Sequence, residues 1–77
     1  MTSNIIPKSV LKAAKDLIYR YGERLVLVGR YNGQDVYVFS FPENVETGFP
    51  FLYLYDERRQ SVFEVTGPEA LEIIARI

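Results

Sequence analysis

Residues 25–41 read LVLVGRYNGQDVYVFSF, two apolar runs separated by Asn32-Gly33. An Asn-Gly pair between two alternating apolar runs predicts a β-hairpin with a two-residue turn, because a type I′ turn needs positive φ at both of its central residues. The rest of the chain is interpreted around this hairpin.

The turn also predicts which side chains share a face of the hairpin. An uninterrupted register places four pairs opposite each other: Tyr31 and Gln34, Arg30 and Asp35, Val28 and Tyr37, and Val26 and Phe39. Because side chains alternate along a strand, Leu25 and Leu27 should lie on the face opposite the aromatic side chains. Both faces of this hairpin are apolar, so both need cover.

Composition predicts one globular domain over residues 1–77, with residues 1–6 disordered. The chain is 48% hydrophobic and 25% charged, and it has no cysteine and no histidine. The net charge of −1 argues against nucleic-acid binding, and no apolar run reaches the length of a membrane span. We therefore expect a cytoplasmic protein.

Periodicity predicts the other elements. Helical spacing extends over residues 8–21 and should end at Gly22, and a third strand covers residues 49–55. A charged turn leads to a fourth strand over residues 61–65, whose face depends on the length of that turn. With a two- or four-residue turn, Phe63 and Val65 should share the face of leucines 52 and 54. A five-residue turn would reverse this.

The last element is a helix that we expect to begin with a capping box formed by Thr66 and Glu69. The predicted fold class is α+β, a four-stranded antiparallel meander with an N-terminal and a C-terminal helix on one face (α-β-β-β-β-α). The second and third strands should be central in this meander.

The sorted side chains define two faces of the central strands. The aromatic face consists of Tyr37, Phe39, Phe41, Phe51, Tyr53 and Tyr55. The aliphatic face consists of Leu25 and Leu27 of the first strand together with Val36, Val38, Leu52 and Leu54. We expect the aliphatic face to receive the helices, whose apolar stripes are also aliphatic, and the aromatic face to remain available. The reverse placement stays open, because aromatic rows are often ordinary core.

These observations predict a small non-catalytic interaction module that homodimerises through an apolar sheet face. The predicted interface is the aromatic face, and the alternative is a small-molecule or peptide-binding domain that uses the same residues. No catalytic residue, cofactor or metal is predicted, since Glu64 beside Tyr53 has nothing to activate it and Glu43 and Glu46 lack the spacing of a calcium site. The expected partners are a second copy, or else a peptide or small apolar ligand, without nucleic acid or membrane.

The tract GRYNGQDVYVFSFPE, followed by GFPFLYLYDERRQSVFEVTGPEAL, resembles short uncharacterised bacterial proteins built from a helix, a meander and a closing helix. It is also similar to small immunity-type domains that have an apolar strand, a charged turn and a final strand. The resemblance covers residues 25–72 as a pattern of elements. It implies a fold and, because it contains no functional motif, no activity or site.

Overall fold

The computed structural model describes residues 6–45 and 48–77. They form seven elements in this order: α1 (Lys8–Ala13), α2 (Lys15–Tyr21), β1 (Leu25–Tyr31), β2 (Gln34–Phe39), β3 (Leu52–Asp56), β4 (Ser61–Val65) and α3 (Pro68–Arg76). The four strands make one antiparallel sheet in the order β1-β2-β3-β4. The predicted α+β class and the meander are confirmed.

The N-terminal helical segment is divided at Ala14. Ala14 has φ −95° and ψ 16°, and it still donates a backbone hydrogen bond to Val10 O at 3.0 Å and accepts one from Ile18 N at 2.9 Å. The single helix predicted over residues 8–21 is therefore two short helices with nearly continuous bonding. Gly22, at φ 91°, ends α2 as predicted. Residues 1–5 of the segment predicted to be disordered lie outside the described residues.

The hairpin turn has the predicted backbone. Asn32 has φ 53° and Gly33 has φ 78°, the left-handed conformation that a type I′ turn requires at both positions. Next to the turn, Arg30 lies opposite Asp35, and its Nε lies 3.3 Å from Asp35 Oδ1. The predicted register is therefore confirmed at this end of the hairpin.

Further along the hairpin, β1 contains a β-bulge. The register shifts between Leu27 and Gly29, so that Val28 is an extra residue. The observed pairs beyond it are Leu27 with Tyr37, Val26 with Val38, and Leu25 with Phe39. The predicted pairs of Val28 with Tyr37 and Val26 with Phe39 are wrong, because one inserted residue moves every following side chain to the other face.

The bulge changes which face the first part of β1 contacts. It moves Leu25 into the core on the aromatic face, whereas Gly29, on the turn side of the bulge, stays opposite Val36 as in an uninterrupted register. A Cβ placed on Gly29 would lie 3.2 Å from Cβ of Ile77, so the missing side chain lets the end of the C-terminal segment approach β1 closely.

The remaining strands pair as a regular meander. Tyr37 lies opposite Tyr53 across the β2–β3 pair. The turn between β3 and β4 contains four residues, 57–60, and Phe63 lies opposite Leu54 and Val65 opposite Leu52. This confirms the arrangement predicted for a four-residue turn.

The helices lie on opposite faces of the sheet, which corrects the prediction that both cover one face. Val10 and Ala14 pack in one buried cluster with three residues of the aromatic face, and Leu17, Ile18 and Tyr21 of α2 pack against it. Ala70 and Ile73 of α3 pack with three residues of the aliphatic face. Each apolar face needs cover, and each helical segment has one narrow apolar stripe, so the two segments divide the faces between them.

The start of α3 also differs from the prediction. Gly67, with φ 86° and ψ −163°, occupies the N-cap position, and within the described chain α3 has no side-chain cap hydrogen bond. The capping box at Thr66 and Glu69 is therefore wrong. The positive φ of Gly67 places Thr66 one residue before the cap, while Pro68 still fits the first turn.

Candidate interaction surface

The six residues of the predicted interface come together, but they lie inside the protein. Tyr37, Phe39 and Tyr53 are buried, and the other three residues of the aromatic face are half-buried and pack against the same cluster. The ring of Phe41 lies 5.0 Å from Phe39 and 5.4 Å from Tyr21 of α2, between ring centroids. The premise that this face remains available is wrong, because α1 and α2 cover it.

Two buried tyrosines, Tyr37 and Tyr53, bring hydroxyl groups into this cluster. The Tyr53 hydroxyl donates a hydrogen bond of 3.0 Å to Glu64 Oε2 on the neighbouring strand. Burial, then this hydrogen bond and the charge of Glu64, raise the pKa of Tyr53. Burial, then the charges of Asp35 and Tyr55, raise the pKa of Tyr37. Both phenols are therefore neutral at physiological pH, which suits a structural role.

The exposed apolar side chains of the sheet are concentrated on β1. Three consecutive residues, Val26, Leu27 and Val28, are 50%, 49% and 44% exposed. Leu27 points to the same side as Tyr37, and it is exposed because α1 lies over β3 and β4, away from β1. Val26 points to the side covered by α3. The edge strand therefore presents apolar groups in both directions.

The C-terminal half of α3 extends this apolar region. Ile74 and Ile77 are exposed, and they lie three residues apart, which places them on one side of the helix. The close approach of Ile77 to Gly29 connects them to β1. We name the combined region the β1–α3 surface: Val26, Leu27, Val28, Ile74 and Ile77.

Sequence patterns alone did not identify this surface, because the predicted register had no bulge. The available signal was Gly29 inside an apolar run, since an isolated glycine within a strand is typical of a bulge or of close backbone approach. A bulge at this glycine would have moved Leu25 to the aromatic face and Val26 to the aliphatic face.

Two open clefts lie on the surface of the described residues. One, of about 380 Å³, is lined by Arg30, Arg58, Asp56 and the hairpin turn. The Arg30 side chain is engaged within the hairpin, since it contacts Asp35 and donates to Gly33 O at 2.9 Å, and Asp56 places a carboxylate in the same lining. The other, of about 370 Å³, lies along α2 alone. Neither cleft brings together groups for a defined ligand.

Within residues 6–45 and 48–77 there is no group of three or more Asp, Glu, His or Cys side chains able to hold a metal ion. Glu43 is exposed, and Glu46 lies outside the described residues. Of the helices in the described part of the chain, none has the length and apolar character to cross a bilayer.

Comparisons with known proteins found no matching family model, no similar curated protein and no similar solved structure. The resemblance to short bacterial helix–meander–helix proteins therefore stays a prediction.

Proposed function

We propose that this chain is a small non-catalytic interaction module that homodimerises through the β1–α3 surface. The observation that carries the proposal is the run of three half-exposed apolar residues, Val26, Leu27 and Val28, on an edge strand. The proposed interface replaces the aromatic face, which the N-terminal helices cover.

The composition of this edge strand favours the binding of a partner. Natural edge strands are commonly protected by lysine, proline or an inward-pointing charge, because unpaired strands associate readily. Residues 25–27 contain none of these, and the other common protection, a β-bulge, begins only after them at Val28. When a partner covers apolar surface on an edge strand, that surface is removed from water and the free energy is lowered.

A second copy satisfies the requirements of the surface. A two-fold axis brings identical patches together, so an apolar patch meets an apolar patch without any further sequence requirement. A small domain of this size also gains from the additional buried area, since its own core is limited. The dimer is therefore the simplest occupant.

Oligomeric state tests this proposal directly. Sedimentation equilibrium of the chain across the micromolar range should give twice the monomer mass. Leu27→Lys should give a monomer with an unchanged circular dichroism spectrum, because the side chain is half-exposed and its charge would be buried in the dimer. Phe63→Lys is the matched control, since Phe63 is 60% exposed on the other edge strand, and it should stay dimeric. A strict monomer would remove the proposal.

A second candidate is a peptide that adds a strand to β1. It is favoured by the position of β1 at the edge of the sheet, where its outer backbone groups have no strand partner among the described residues. A monomer whose melting temperature rises with an extended apolar peptide, and whose response is lost in Leu27→Lys, would support this candidate over the dimer. A small apolar ligand on the aromatic face is less favoured, because it would have to displace α1 and α2.

A further inference from the structure

The hydrogen bonds around β2 determine which way each strand directs its backbone groups. Ser40 N donates to Arg24 O at 2.8 Å, toward β1, and Phe39 N donates to Phe51 O at 3.1 Å, toward β3. In an antiparallel sheet these directions alternate along the strand. Even-numbered residues of β2 therefore bond to β1, and odd-numbered residues bond to β3.

The same alternation applies to β1. Val26 lies opposite Val38, an even-numbered residue of β2, so the N–H and C=O groups of Val26 point inward. The backbone groups of its neighbours, Leu25 and Leu27, point outward from the sheet. A partner strand would therefore bond to Leu25 and Leu27.

We propose that two copies of the chain join by pairing β1 with β1, antiparallel about a two-fold axis at Val26, so that the two four-stranded sheets become one continuous sheet. This inference rests on the proposed dimer and specifies its contact. In this register Leu25 of one copy exchanges two backbone hydrogen bonds with Leu27 of the other, on each side of the axis. The two copies of Val26 face each other without exchanging bonds.

Charge favours this register over its neighbours. A register centred on Leu27 would bring Arg24 of one copy beside Arg30 of the other, at both ends of the pair, and like charges directly opposite are unfavourable. A register centred on Leu25 would place Leu27 opposite Glu23. Of these three registers, the one centred on Val26 pairs both leucines of each copy with leucine and keeps Arg24 and Arg30 apart.

The bulge defines the length of the pairing. Val28 and Gly29 together oppose Val36, and the strand bends there. The straight part of the free edge is therefore residues 25–27, which the proposed register uses completely.

The C-terminal end of the chain lies beside this contact. A Cβ on Gly29 would lie 3.2 Å from Cβ of Ile77, so Ile77 lies over β1. A two-fold axis perpendicular to the sheet keeps both copies of Ile77 on the same face. In the proposed register Gly29 lies opposite residue 23 of the other copy, so Ile77 lies toward the end of the paired strands, three residues from the axis.

A single engineered cysteine tests the axis, because the chain has no cysteine of its own. Non-bonded antiparallel pairs have Cα atoms about 4.5 Å apart, within the range of about 4.4 to 6.8 Å that a disulfide needs. Under mild oxidation Val26→Cys should therefore form a disulfide-linked dimer, visible by non-reducing electrophoresis and reversed by dithiothreitol.

Leu27→Cys is the matched control on the same strand. In the proposed register the two copies of residue 27 are offset by two residues, about 7 Å along the strand, and are separated across the pair as well. Their Cα atoms then exceed the limit of about 7 Å for bridging, so crosslinking should be at least about tenfold slower than for Val26→Cys.

The outcomes separate this inference from the proposed function. If the unmodified chain is dimeric but Leu27→Cys crosslinks as fast as Val26→Cys, or neither crosslinks, the axis at Val26 is wrong while the dimer stands. If the unmodified chain is monomeric by sedimentation, both proposals fail. Hydrogen exchange is a second measurement. The amide of Leu25 should exchange at least about tenfold more slowly in the unmodified dimer than in the monomeric Leu27→Lys variant.

Discussion

The two faces of the sheet are apolar to a similar degree, yet they are covered differently. On the aromatic face two helical segments and three aromatic side chains from outside the central strands close over buried Tyr37, Phe39 and Tyr53. On the aliphatic face the single helix α3 buries Ala70 and Ile73 and leaves Val26 and Phe63 exposed. The difference shows that composition of a face does not determine how completely the chain itself covers it.

The extent of cover follows from the number and width of the helical stripes. The helical segment formed by α1 and α2 spans nearly four turns, whereas the nine residues of α3 span about two and a half turns. A nine-residue helix is only about 14 Å long, so α3 covers part of the aliphatic face and leaves Val26 and Phe63 exposed. The aromatic face is thus core, and the aliphatic face is part core and part surface.

The largest expected effect comes from truncating the better-covered face. Phe39→Ala should lower the free energy of unfolding by about 3 to 5 kcal/mol, because it opens a cavity among packed rings under α2. Urea denaturation followed by circular dichroism measures this loss.

The matched variant on the other face is Ile73→Ala. It should cost about 2 kcal/mol, the lower end for such a truncation, because the cavity lies beneath a single helix beside exposed side chains and can be relieved by a small shift of α3. An equal or larger loss for Ile73→Ala would contradict the difference between the faces.

A smaller effect is expected from the Tyr53 hydroxyl. Tyr53→Phe should cost about 1 kcal/mol at neutral pH, because it removes the hydrogen bond to Glu64. Tyr19→Phe, at a residue that is 91% exposed, is the control and should leave stability unchanged.

The same variant should change the dependence of stability on pH. The pKa of Tyr53 is raised in the folded state above its ordinary value of 10.0, so the folded protein holds this proton more tightly than the unfolded chain. The contribution of Tyr53 to the free energy of unfolding is therefore fully present below pH 10. It decreases as the pH rises further, by up to about 1.4 kcal/mol per pH unit. In Tyr53→Phe this part of the fall should be absent, so the two curves should converge above pH 10. Parallel curves would show that the burial of Tyr53 does not matter.

The smallest effect tests the contact between α3 and β1. Gly48→Ala has open space around its Cβ, so it should stabilise the protein by about 0.4 to 1 kcal/mol through the unfolded state. Gly29→Ala has the same entropic gain, but its Cβ would lie 3.2 Å from Cβ of Ile77. It should therefore give no gain, or a loss of up to about 1 kcal/mol. Equal gains for the two variants would mean that α3 does not press on β1.

Local chemistry made several features predictable. Asn32-Gly33 specified the turn because few residues tolerate positive φ at two consecutive positions. Strand number and strand order followed from alternation and from the short connections, whereas the face of Phe63 stayed open because it depends on the turn, which has four residues in the structure. These features depend on neighbours in the sequence, which a sequence pattern reports well.

The other features depend on choices made in three dimensions. Whether a helix packs on one face or the other changes no local preference, since both faces are apolar, and so the side of each helix was not encoded in periodicity. The bulge at Val28 adds one residue without altering the apolar pattern of residues 25–28. That single residue reassigned Leu25 and Leu27, and with them the candidate surface.

The bulge at Val28 has a consequence for how far a sheet of this protein can grow. A long straight ribbon of unpaired backbone would recruit copy after copy, in the manner of a fibril. Here the strand bends after three residues, and a neighbour that docks on them uses the whole segment. The other edge strand of the sheet is β4, where Glu64 and the charged turn over residues 57–60 disfavour edge-to-edge pairing. In the proposed dimer, assembly would therefore end at a closed pair, and the bulge would keep further copies from adding to the sheet.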